Sequence, residues 1–138
     1  MSSCAKYYTF IPALIIAAGI LVTSLLEADV VREITSLKDK TLHVWAYGLF
    51  ALTLLFPLTR INTHHWRQYA ITWVICCVYG AFIEILQSCC TTTRVGEWLD
   101  ILANTIGATI ALIIFFCIYY LWHHLHYKGT PTNMPKYF

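Results

Sequence analysis

The charged residues of this 138-residue chain are unevenly spread, and the gaps between them limit what it can become. No Asp, Glu, Lys or Arg lies between Lys6 and Glu27, between Lys40 and Arg60, or between Asp100 and Lys128, intervals of 20, 19 and 27 residues. Between Arg67 and Arg94 only Glu84 interrupts. A helix needs about 20 mostly apolar residues to cross the hydrocarbon of a bilayer, so each interval reads as one span. Charged residues make up 12% of the chain and apolar or aromatic ones 59%, whereas soluble domains carry roughly 25% and 45–50%. The expected fold is therefore all-α: a polytopic membrane protein of four transmembrane helices in a single domain over residues 1–138.

The spans are expected at about 8–26, 40–58, 69–87 and 101–122. Pro12 falls in the first turns of the first span, where a missing amide donor costs least, and Pro57 is expected to end the second. Between these two spans Val30, Ile34 and Leu37 share one face of a charged stretch, which predicts a short interfacial helix. The first apolar segment has the length of a full span and no small-residue cleavage site, so it is expected to stay in the mature chain. The six cysteines show no CxxC spacing and read as packing residues, with Cys89 and Cys90 near a helix end.

A net charge of +2 without a dense Lys/Arg run argues against nucleic-acid binding. Lys6, Arg60, Arg67, Lys128 and Lys136 fall on one side of the spans, and Arg32, Lys38, Lys40 and Arg94 on the other. The excess of basic residues on the first side puts both termini in the cytoplasm.

In a hairpin of four spans, the start of the second, the end of the third and the start of the fourth share one membrane face. That face collects Asp39, Lys40 and His43, then Glu84 and Gln87, then Arg94, Glu97, Asp100 and Asn104. Lys40, His43 and Tyr47 follow at i, i+3 and i+7, and Asp100, Asn104 and Gly107 at i, i+4 and i+7, so each set lines one helix face. An ionisable group at mid-bilayer costs about 2.5–3.5 kcal/mol on insertion scales, and such groups usually face a partner or a wet cavity. Glu84 is the clearest example. The same residues also read as a polar clasp between helices, since lipid gives helices no hydrophobic reason to associate.

Asp100 suits the first turn of the fourth helix, where a carboxylate meets free amides. Ala103, Gly107 and Ala111 give the small-residue spacing that lets helices approach closely. Trp45, Trp66, Trp98 and Trp122 fall near span ends, as interfacial anchors do. His123, His124 and His126 form a histidine-rich tract without a second ligand cluster; no metal and no cofactor is expected.

Three ordered elements resemble the VanZ-like membrane protein family: Asp39-Lys40-x-x-His43-x-x-x-Tyr47, Glu84-x-x-Gln87, and Arg94-x-x-x-x-x-Asp100-x-x-x-Asn104-x-x-Gly107. The resemblance covers about residues 39–111, roughly half the chain. It implies a bacterial inner-membrane protein, whose namesake is linked to low-level resistance to the glycopeptide teicoplanin, and it supplies no reaction.

Three functions compete. In the first, the polar face binds or handles a membrane lipid or lipid-linked envelope precursor: Lys40, His43 and Arg94 contact the anion, Glu84 and Asp100 orient them, and Tyr47, Gln87 and Asn104 complete the site. The cluster holds more acids than bases, which counts against a bare phosphate. In the second, an interfacial enzyme uses His43 and Glu84 as acid and base; HExxH, GxSxG and Walker motifs are all lacking, and the balance leans against catalysis. In the third, a structural or partner protein uses the polar set only as a clasp, with Asp39, Gly107 and Ala111 in packing roles. Four spans without an internal repeat make a transporter unlike the known designs unless the protein forms a homo-oligomer.

Overall fold

A computed structural model describes residues 7–26, 39–61, 65–91 and 97–126. Four helices account for nearly all of them: α1 (Ile11–Leu25), α2 (Asp39–Ile61), α3 (His65–Cys90) and α4 (Trp98–His126). α2, α3 and α4 are long and apolar enough to cross a membrane, whereas α1 is a shorter apolar helix of 15 residues. At 1.5 Å per residue it measures about 22 Å, against a hydrocarbon core of about 30 Å. The 8–26 span expected from sequence starts later as α1 because Thr9 and Phe10 form a turn, closed by the Phe10 amide on the Tyr7 carbonyl at 3.0 Å. Pro12 stands in the first turn of α1, as its spacing predicts. The expected interfacial helix, and the basic residues Lys6, Arg32, Lys38, Lys128 and Lys136 that enter the orientation count, lie outside the described residues.

The other helices outrun their expected bounds, each for a local reason. α2 continues through Pro57 to Ile61, although the sequence reading ends it at the proline. Proline removes a single amide donor, whereas breaking the helix in apolar surroundings would strand several backbone groups without water. α4 runs on to His126, with the Trp122 and His126 rings stacked 4.0 Å apart and the His126 imidazole bonded to the Trp122 carbonyl at 3.0 Å. The histidine tract is in this way the last turn of a helix.

Each long helix buries one stripe and leaves the remaining surface apolar. α2 buries His43, Tyr47, Phe50, Ala51, Leu54 and Leu55; α3 buries Gln68, Thr72, Cys76, Gly80, Ile83, Glu84 and Gln87; α4 buries Asp100, Ala103, Asn104, Gly107, Ala108, Ala111 and Leu112. Spacings of three and four residues put each set on one helix face. The opposite faces present Leu49, Val78 and Ile114, among many others, as a helix surrounded by lipid would.

α2 and α4 share the most extensive contact in the bundle. Its closest point is Gly107, where an added Cβ would stand 2.2 Å from the Val44 carbonyl oxygen. Gly48 faces the same point from α2, its own added Cβ lying 3.4 Å from the Gly107 carbonyl oxygen. No side chain fits at Gly107 between the two backbones, whereas a methyl group at Gly48 would make ordinary contact. α1 docks more loosely through two polar ties, the Tyr79 hydroxyl on the Ala17 carbonyl (2.7 Å) and the Gln87 amide on the Ser24 carbonyl (3.0 Å).

Gly107→Ala is expected to force α2 and α4 apart and cost about 1–3 kcal/mol, the usual range for overpacking. Gly19→Ala meets nothing within 4 Å and should leave stability unchanged or raise it. Thermal unfolding of the two purified variants in one detergent measures the contrast.

Candidate functional site

With α2 and α4 held together at Gly107, their first turns lie side by side, and the end of α3 reaches the same place. Lys40 at the start of α2 extends its ammonium to α4, 2.8 Å from Glu97 Oε2 and 3.2 Å from Asp100 Oδ1. Lys40 and Glu97 are half-exposed, whereas the Asp100 side chain is 7% exposed. Glu84, at the far end of α3, accepts the Glu97 backbone amide on Oε2 at 3.3 Å. A carboxylate from one helix thus satisfies a free amide at the positive end of another, a capping arrangement made across the fold.

One turn deeper, His43 Nδ1 and Asn104 Oδ1 share a hydrogen bond of 2.9 Å within the buried interface. An amide oxygen only accepts, so with this amide orientation the imidazole carries its proton on Nδ1. His43 Nε2 lies 3.9 Å from Asp39 Oδ2 and 4.0 Å from Asp100 Oδ2. Both separations exceed a hydrogen bond. Glu84 is close enough to feel the charges of His43, Asp100 and Asp39.

Three buried polar atoms bordering this cluster have no hydrogen-bond partner among the described residues: Tyr47 Oη, Glu84 Oε1 and Asn104 Nδ2. A buried polar group left unpaired costs about 1–3 kcal/mol, so these three atoms are the places in the cluster where a water or a ligand group would gain most.

The structure brings together Asp39, Lys40, His43, Glu84, Asp100 and Asn104, with Tyr47 directly beneath. It places Gln87 differently: its amide donates to the Ser24 carbonyl and ties α1 to α3. Ala111 is buried against the α2 face near Gly48, and Gly107 forms the floor of the interface. Arg94 lies outside the described residues.

Sequence reasoning missed Gly80. A Cβ there would come within 2.9 Å of Asn104 Nδ2 and 3.4 Å of Tyr47 Cε1, so the absent side chain is what seats both polar groups. Its signal is the register Gln68, Thr72, Cys76, Gly80 and Glu84 along α3, a four-residue repeat of buried positions. Ser24 was also missed, because its backbone carbonyl makes the contact and no side-chain pattern reports that.

The described cluster holds four acids, Asp39, Glu84, Glu97 and Asp100, beside Lys40 and His43. Lys40 is already engaged by two carboxylates. The described residues therefore favour a cation or a hydrogen-bond donor over a bare anion. The cysteines stand apart: Cys76 is buried, Cys77 lies 3.7 Å from the Thr105 hydroxyl, and Cys89, Cys90 and Cys117 are exposed and free.

Long apolar helices with polar side chains gathered at one end are the arrangement of a helical membrane protein. Residues 7–121 match the VanZ/LLP1 family, and the chain belongs to that family. No curated protein and no solved structure matches it.

Gly80→Ala is expected to displace Asn104 and lower stability by about 1–3 kcal/mol. Tyr47→Phe, which deletes a buried hydroxyl without a partner, should be neutral or stabilising. Both are read as shifts in thermal unfolding midpoint.

Proposed function

We propose that this VanZ/LLP1 membrane protein binds the polar headgroup of a lipid-linked envelope molecule at the cluster where α2, α3 and α4 meet. With both termini in the cytoplasm of a bacterial inner membrane, that face opens toward the outer leaflet, where lipid-linked cell-wall precursors are displayed. The observation carrying the reading is the set of buried atoms without partners, Tyr47 Oη, Glu84 Oε1 and Asn104 Nδ2, beneath a rim formed by half-exposed Asp39, Lys40 and Glu97.

The chemistry assigns parts of the headgroup to parts of the site. Glu84, Asp100 and Asp39 are acceptors and suit hydroxyl or amine donors, such as those of a sugar or an amino sugar. A phosphate calls for a positive group, and Arg94, between α3 and α4 in the sequence, is the residue assigned to it here. Gln87 has a clasp role in this account, because its amide is engaged by α1. Any effect on glycopeptide tolerance would act through the bound precursor.

The test is native mass spectrometry of protein released from bacterial membranes, with polyprenyl-phosphate-linked sugars offered in nanodiscs. Retention of one lipid-linked headgroup per site, reduced about tenfold or more in Glu84→Gln and in Arg94→Ala at unchanged unfolding midpoint, is the expected outcome. Equal retention by both variants rejects the site, and loss of binding in step with loss of stability supports the clasp.

A further inference from the structure

We propose that the groove between α3 and α4, in the half of the bundle away from the polar cluster, binds an anionic phospholipid, with an acyl chain in the groove and the phosphate at Arg67 and His124. The groove measures about 250 Å³ and is lined by Tyr69, Trp73, Thr109, Leu112, Ile113 and Phe116. On α3, Trp66, Tyr69 and Trp73 follow at i, i+3 and i+7; on α4, Thr109, Leu112, Phe116, Tyr120 and His124 follow at spacings of three and four. Each set therefore shares one helix face. The rings connect the groove to the end of the bundle: Tyr69 meets Phe116 edge-on at 6.2 Å, Phe116 stacks on Tyr120 at 6.4 Å, and Tyr120 stacks on His124 at 6.1 Å.

The groove suits a hydrocarbon chain better than a polar ligand. The two polar groups at its deep end satisfy each other: Trp73 Nε1 donates to Thr109 Oγ1 at 3.0 Å, and the Thr109 hydroxyl donates to the Thr105 carbonyl at 2.7 Å. Ring faces and aliphatic groups make up nearly all of the remaining lining. The dimensions agree with a lipid. Asp100 and Tyr120 are 20 residues apart on one helix, about 30 Å, which is the thickness of the hydrocarbon core. With Asp100 at one interface, Tyr120 stands at the other. From Tyr120 back to Thr109 is 11 residues, about 16 Å, close to the depth of one leaflet. A chain that enters at the level of Tyr120 ends where Trp73 meets Thr109.

Charge selects the headgroup. Segments 59–68 and 118–138, which include the start of α3 and the end of α4, contain no Asp or Glu and carry Arg60, Arg67, Lys128 and Lys136. Basic residues gathered at one membrane surface attract anionic lipids. Arg67 is the cation nearest the groove in the sequence of α3. Its guanidinium lies over the Trp66 ring, 5.5 Å from the centroid, and Trp66 shares its helix face with Tyr69 and Trp73. Arg67 is exposed and has no ion-pair partner among the described residues, whereas Lys40 at the other end is held by two carboxylates. Guanidinium donors match phosphate oxygens in pairs. His124, exposed and stacked on Tyr120, brings a ring N–H from α4. The site shares no residue with the polar cluster and stands whether or not a headgroup binds there.

The experiment uses the full chain in detergent, stripped of lipid and offered phosphatidylglycerol or phosphatidylcholine with identical acyl chains. Native mass spectrometry counts the lipid retained. The expected result is one phosphatidylglycerol per chain, held about fivefold or more tighter than phosphatidylcholine, with about fivefold of that preference lost in Arg67→Gln. Ile113→Trp, which fills the groove and leaves every charge in place, should lower phosphatidylglycerol retention as well. Both altered side chains are exposed, so neither substitution removes a core contact. Equal retention of the two lipids, a preference unchanged in Arg67→Gln, or retention unchanged in Ile113→Trp would each overturn the proposal. So would retention that is lost in Arg94→Ala and kept in Arg67→Gln, because that result puts the lipid at the polar cluster instead.

Discussion

The polar cluster at the starts of α2 and α4 depends on how closely two backbones approach. Gly107 lets α4 lie against Val44 of α2 where even a methyl group would collide with a carbonyl oxygen. In lipid, where burying apolar surface gives helices no net reason to pair, such close packing is a main source of association. The approach sets His43 within hydrogen-bonding distance of Asn104 and Lys40 within reach of Asp100 and Glu97. The polar contacts in turn fix the rotation of the helices, since a small-residue interface alone leaves the register open.

The cluster is more acidic than its basic members suggest at first sight. Lys40 and His43 look in the sequence like anion-binding residues, but the fold engages Lys40 with Glu97 and Asp100 and sets His43 Nε2 3.9 Å from Asp39 and 4.0 Å from Asp100. Four carboxylates gathered at one membrane face oppose their own proximity unless positive charge joins them. Glu84 caps α4 with one oxygen, and its other oxygen has no partner among the described residues.

Much of this was legible in the sequence because membrane helices obey few rules. The gaps between charges mark four apolar helices, and spacings of three, four and seven residues place Lys40, His43, Tyr47, Asp100 and Asn104 on facing stripes. The exact bounds were less legible: Pro57 is carried inside α2, and the turn at Thr9 and Phe10 shortens α1. The destination of individual side chains was not legible at all. Gln87 and Glu84 share a helix face, yet Gln87 reaches the Ser24 carbonyl while Glu84 reaches the start of α4. That difference comes from the positions of neighbouring backbones, which no residue pattern states. Gly80 matters through the side chain it lacks, and a glycine in an apolar run gives little warning of that.

The claim beneath the whole account is that the first turns of α2 and α4 are neighbours within one chain at one membrane face. Cysteines placed at Lys40 and Glu97, whose side chains are 47% and 55% exposed, test it with little risk to folding. In membranes, with the native cysteines replaced, a short thiol cross-linker is expected to join the two positions within a single chain. Both should also react with a membrane-impermeant reagent applied from the same side. A pair that links only between chains, or reacts from opposite sides, would contradict the account.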